Sequence, residues 1–229
     1  IIILCKIINW IKEIDIDNAK RFLQKGYNAA LNRSGRIWKI VKCMSIHPEA
    51  MKSSMELYKC LMFAPSPLNR SEREMLAVVV SARNGCVYWI RAHAHDLRAE
   101  VEKDFKGLTQ AQYDLLVHLI AKDWKKANLS DRHQALCLFA EKDSESPKQM
   151  KFEDLSSLKQ TGYSDRAIHD AVQIIGYFNY INRIADLLGV EPETFTHEWE
   201  LSTPDWSELE HHFEKITLWR LMTGKKLSL

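Results

Sequence analysis

The spacing of apolar and polar positions divides the chain into helical stretches separated by glycine, proline and polar breaks. From Asp17 to Asn32, Ala19, Phe22, Leu23, Tyr27, Ala30 and Leu31 fall at helical intervals, and Gly35 closes the run. Ile37 to Met44 is a second short run. Pro48, suited to a helix's first turn, opens a third with Met51, Met55, Leu57, Tyr58 and Leu61 on its inner side. Pro65-Ser66-Pro67 is a firm break. Met75 to Val80 is then apolar on every side and predicts a helix buried all round. Asn84-Gly85 ends it, because glycine takes the left-handed cap conformation at no steric cost. A further helix begins at once with Cys86 in its first turn and runs to about Lys103.

Two capping boxes compete before the buried helix. Asn69-x-x-Glu72 and Ser71-x-x-Glu74 both fit. The first is favoured, because a carboxylate beside so apolar a run must find a partner, and Asn69 as cap leaves Glu74 free to point inward. Val78-Val79-Val80 alone would suit a strand, but caps at both ends argue for helix. Downstream, Thr109-x-x-Gln112 caps a helix through Trp124, and Ser130 caps another through about Lys142 with Ala135, Leu136, Leu138 and Phe139 inward. Asp143 to Gln149 reads as a polar loop and Phe152 to Leu158 as a short helix ended near Gly162. Ser164 caps a long helix to Leu188, closed by Gly189, with Ile168, Val172, Ile175, Phe178, Ile181, Ile184 and Ala185 as its apolar side. Glu191 to Ser202 looks irregular. Thr203-Pro204 opens a last amphipathic helix through about Met222, carrying Leu209, Phe213, Ile216 and Trp219.

Composition narrows the function classes. The chain has 229 residues and 26.7 kDa, enough for one domain or two small ones, and 46% apolar residues can supply a sizeable core. A net charge of +2 and a pI near 8.2 argue against a dedicated nucleic-acid or acidic-membrane surface. The basic runs at Lys122–Lys126 and Lys225-Lys226 are short solvated surface. Five scattered cysteines show no zinc spacing, so the expected setting is the cytoplasm or another reducing compartment. Ile1 to Ile11 is apolar but broken by Lys6, and it falls short of the roughly 20 residues of a membrane helix. It is expected to pack as a terminal strand or helical turn on the body or a neighbouring subunit. The chain does not start with Met, so targeting stays open.

The candidate chemistry gathers at the Gly85 corner. A thiol in a helix's first turn meets N–H groups and the dipole, which bias Cys86 toward thiolate; a buried, inert cysteine is the competing reading. Cys86 and Trp89 are three apart, Trp89 and His93 four apart, so each pair shares a face. Cys86 and His93 lie about 10 Å apart along the axis and cannot hydrogen-bond directly. His93 is a proton carrier or a bonded core histidine, and Glu74 is its partner or a cap. A metal set from His93, His95, Asp96 and Cys86 is not expected, since the two histidines face different ways; His211-His212 are equally poor ligands. Asn182, Arg183 and Asp186 read as a structural group. Cys5, Cys43, Cys60 and Cys137 show no visible chemistry, though any could resolve an oxidised Cys86 if the fold brings it near.

Glu74, Cys86 twelve on and His93 seven further, within EREMLAVVVSARNGCVYW, resemble the alkylhydroperoxidase-D-like, or carboxymuconolactone decarboxylase-like, superfamily, and more narrowly its peroxidase-related branch. The likeness runs from about Phe22 to Val190 and includes IHPEA at Ile46–Ala50 and FNYINRIADLLGV at Phe178–Val190. It implies an all-α fold of about nine helices over residues 16–193, with extensions at 1–15 and 194–229, the latter holding the extra C-terminal helix. It also implies a homo-oligomer, no cofactor or metal, and a small hydroperoxide or other small molecule as substrate. The family pattern is a glutamate, then C-x-x-C-x-x-x-H. By that pattern Cys86, His93 and Glu74 are the catalytic candidates and Tyr88 and Trp89 line the pocket. Trp89 stands in the place of the second, peroxide-reactive cysteine, and Cys86 in the place of the resolving one. Three functions follow: a peroxidase-related, antioxidant thiol oxidoreductase altered by Trp89, a cysteine-independent acid–base enzyme of the decarboxylase or lyase kind, or a non-catalytic helical assembly subunit. An open cavity touching Cys86, Tyr88 and His93 would favour the enzymes, and a filled one the subunit.

Overall fold

A computed structural model describes residues 9–196, and all the regular structure among them is helical. The α-helices are α1 (Arg21–Ser34), α2 (Lys39–Cys43), α3 (Pro48–Phe63), α4 (Arg70–Asn84), α5 (Val87–Asp104), α6 (Gln110–Asp123), α7 (Asp131–Glu145), α8 (Phe152–Gln160) and α9 (Asp165–Leu187), joined by short 3-10 turns. The expected helix from Thr203, Cys5, His211 and His212 lie outside the described residues.

The other helices are arranged around α4. Every residue from Ser71 to Ser81 is buried, and α5, α7, α9, α6 and α3 pack against it. Met75, Leu76, Val78, Val79 and Val80 are each at most 1% exposed. At about 1.5–3 kcal/mol per buried side chain, these five contribute on the order of 10 kcal/mol before chain entropy is counted. The polar ends of α4 are tied down. Asn69 accepts the Glu72 N–H at 2.8 Å while Glu72 accepts the Asn69 N–H at 3.0 Å, so Asn69 caps and Glu74 is released from that duty. Arg73 donates to the carbonyls of Leu61, Ala64 and Leu68 and holds the Pro65–Pro67 break against the helix. Glu72 also takes Arg132 at 2.8 Å and the Tyr163 hydroxyl at 2.9 Å, joining α4 to α7 and to the turn before α9.

Several expected details differ. Helix α1 starts at Arg21, after a 3-10 turn at Ile16–Asn18, not at Asp17. Phe22, Leu57, Leu138 and Val172 are 39%, 44%, 53% and 44% exposed, although each fits its helix's apolar register. Their helices turn these four positions to solvent.

Candidate functional site

Gly85 adopts φ +70°, the left-handed conformation, and turns the chain from α4 into α5. That corner brings Glu74 on α4 against His93, almost two turns into α5. His93 Nδ1 and Glu74 Oε2 are 2.5 Å apart, and both side chains are buried. The other Glu74 oxygen accepts from Arg70, one turn earlier on α4, and Arg70 also reaches the Met62 carbonyl. A carboxyl group in this position would be costly alone; these hydrogen bonds satisfy both of its oxygens. With Nδ1 donating to Glu74, the neutral imidazole carries its lone pair on Nε2. Nε2 is buried and has no hydrogen-bond partner.

A cavity of about 320 Å³ opens over this pair. His93, Asp96, Arg70 and Trp89 line it together with Tyr58, Met55, Trp38 and Ile40. The Trp89 indole stacks on the His93 ring, centroids 5.3 Å apart and planes 24° from parallel, and its N–H donates to the Ile181 carbonyl at 3.2 Å. Phe178 meets the same imidazole edge-on at 4.6 Å. The ring is therefore fixed in orientation by an aromatic face, an aromatic edge and a carboxylate. Asp96, one turn beyond His93, also reaches this group. Burial and the nearby Glu74 charge push its carboxyl up to about 6. Glu74, His93 and Asp96 bring potential ligand atoms within 4.8 Å of one another. Arg70 and His93 already engage both Glu74 oxygens.

Cys86 lies elsewhere. It is the N-cap of α5, fully buried, with its sulfur 3.8 Å from the Asn182 carbonyl. It does not line the cavity. Burial, with Asp186 alongside, pushes its thiol far up, although the Trp89 and Tyr88 N–H groups oppose this. The expected bias toward thiolate is thus reversed: the helix terminus is present, but removal from water outweighs it. Tyr88 does not line the cavity either. Its hydroxyl accepts the Ile40 N–H and donates to Glu193, each at 3.3 Å, linking α5 to α2 and to the segment after α9. Of the five sequence candidates, then, the fold unites Glu74, His93 and Trp89 and sets Cys86 and Tyr88 apart. On α9, buried Asn182 exchanges hydrogen bonds with Ser81 on α4, and exposed Arg183 donates back to the Asn179 carbonyl.

Sequence reasoning missed Arg70, Asp96, Tyr58 and Trp38. Arg70 stands four residues before Glu74 on one helix and was within reach of spacing rules. Asp96 lies three beyond His93 on the same helix face, and its sequence context suggests only a metal ligand. Tyr58 and Trp38 come from α3 and the start of α2, and no local pattern links them to His93.

A helical bundle with a buried Glu–His pair beneath a cavity of about 320 Å³ is the class of protein this geometry defines. The family described as PA26 p53-induced protein (sestrin) matches residues 8–115, which include Glu74, Cys86 and His93. Mouse (Mus musculus) Sestrin-2 is 30% identical over 83 residues, 36% of this chain but 17% of its own length, so this chain spans only a small part of that relative. The uncharacterized protein YdfG of Bacillus subtilis (strain 168) is 27% identical over 150 residues, 65% of this chain and 93% of that one. Among solved structures, the alkylhydroperoxidase AhpD core, an uncharacterized peroxidase-related protein from Ralstonia eutropha JMP134, superposes with TM-score 0.74 at 22% identity, over 82% of this chain and 94% of that one. An uncharacterized peroxidase-related protein from Silicibacter sp. TM1040 gives TM-score 0.71 at 25% identity, over 84% and 95%. The fold is that of the alkylhydroperoxidase-D-like proteins, with peroxidase-related proteins as structural neighbours.

Proposed function

We propose that this chain is a peroxidase-related enzyme that works without a cysteine pair, through acid–base chemistry by Glu74 and His93 on a small substrate in the cavity. The observation that carries this reading is His93 Nε2, buried, on a cavity-lining residue, and without a partner, while Nδ1 is held by Glu74. Such an atom accepts a proton from a bound substrate, and Glu74 then stabilises the imidazolium that forms. Trp89 replaces a nucleophile with an apolar wall that orients the ring and covers one side of the substrate.

A second reading, a single-cysteine thiol oxidoreductase acting on hydroperoxides, draws on the Tyr88 and Trp89 N–H groups turned toward the Cys86 sulfur. In that step the thiolate attacks the peroxide, an alcohol leaves, and the resulting sulfenic acid needs an external thiol for reduction.

One experiment separates the two. Consumption of an alkyl hydroperoxide with a dithiol reductant is measured for the wild type and for Trp89→Cys, with folding followed by circular dichroism. The expected result is no turnover in the wild type and a gain in Trp89→Cys, where the new thiol faces His93 and can form a disulfide with Cys86. Wild-type turnover equal to that of Trp89→Cys would overturn the acid–base reading in favour of the single cysteine.

A further inference from the structure

A second cavity, of about 200 Å³, lies between α1 and α3. It adjoins the first: Arg33, Val41 and Met55 line both. Its walls are apolar, with Ala29, Ala30, Met51 and Phe22 beside the shared Val41 and Met55. Gly26 is part of the same lining, and a Cβ there would come within 2.6 Å of the Met51 thioether methyl, the flexible end of that side chain, which would have to shift. The charges around it are one-sided. Lys25, Arg33, Lys52 and Lys59 line it against a single carboxylate, Glu56, which Lys52 already engages at 3.1 Å. Beyond the shared residues the first cavity is lined by His93, whose buried Nε2 has no partner.

An apolar channel with a cationic rim selects one kind of ligand. A neutral hydrocarbon gains nothing from the lysines, and an amine is repelled by them. The walls are concave, and Met51 and Ala30 are buried, so the surface suits an inserted chain and not a flat bilayer. We propose that the two cavities form a single site for an amphipathic carboxylate. Its carboxylate rests at the rim made by Lys25, Lys52 and Lys59, its hydrocarbon body runs past Met55 and Val41, and its other end reaches His93. This rests on the reading of the larger cavity as the substrate site and narrows the substrate to that class.

The test is binding, so it needs no turnover. Calorimetry on the full chain compares decanoate, decanol and decyltrimethylammonium below their aggregation concentrations. Decanoate is expected to bind at least about tenfold more tightly than either of the others, with affinity rising up to about fourfold per added methylene and falling with salt. The double variant Lys25→Glu/Lys59→Glu, at two exposed positions, should weaken decanoate by at least about tenfold and leave decanol unchanged. Ala29→Trp, which fills the second cavity from its exposed side, should abolish binding of both. Equal affinities for decanoate and decanol, no binding at all, or indifference to the double charge reversal would overturn the proposal. None of those results touches the Glu74–His93 reading, which the peroxide experiment decides without any carboxylate.

Discussion

At Asp96 a carboxylate shares its surroundings with Glu74 and His93. Burial and the Glu74 charge raise it from the ordinary 3.8 to about 6. Between those values the folded chain holds a proton that the unfolded chain has released. Stability therefore falls as pH rises through this window, and the cost is fully present above about 6. Asp96→Asn removes the titration. Relative to wild type, this variant should gain stability steadily from about pH 4 to about pH 7, by roughly 1 kcal/mol after allowance for solvent screening in the cavity. Chemical denaturation across that range measures it; a difference independent of pH would sink the assignment. The same residue shows how far the site was legible. Glu74 and His93 were readable because their spacing and the Asn69 cap left a carboxylate needing a partner. The state of Cys86 was not, because the helix terminus is local and visible in sequence, whereas burial by Asn182 and Asp186 comes from α9, ninety-six positions from Cys86 in the case of Asn182.

Helices were the most legible level, because their ends carry their own chemistry. Asn69, Thr109, Ser130 and Ser164 each accept the N–H they were expected to accept, and α4, α6, α7 and α9 begin directly after them. Helix α1 lacks such a signal: Lys20 precedes it without a side-chain cap, and the expected start slipped by four residues. The corner between α4 and α5 depends on Gly85. A Cβ there would meet nothing within 4 Å, so any cost of substitution comes from the backbone alone. Gly85→Ala should destabilise the protein by about 1–2 kcal/mol, and Gly85→Asn by less, since asparagine tolerates the left-handed region. The denaturation midpoints of the two variants check this; a neutral Gly85→Ala would mean that the corner relaxes to another turn.

The whole molecule leaves one helix face uncovered among the described residues. Ile168, Ala171, Ile175, Phe178 and Ala185 turn the inner side of α9 into the core, while Val172, Tyr180 and Leu187 lie on the opposite side and are 44%, 45% and 73% exposed. Spacings of eight and seven residues keep these three on one stripe, so a single partner surface can cover them together. The superfamily resemblance implies a homo-oligomer, and a second copy of the chain presenting the same stripe about a two-fold axis would satisfy both. Sedimentation should then give a mass that is an even multiple of 26.7 kDa. The double substitution Tyr180→Glu/Leu187→Glu places like charges on both sides of such a contact and should shift the protein to single chains without loss of helix content, since both positions face outward. A wild-type mass of one chain would remove the oligomer. An oligomer that survives the double substitution would keep it but move the contact off α9.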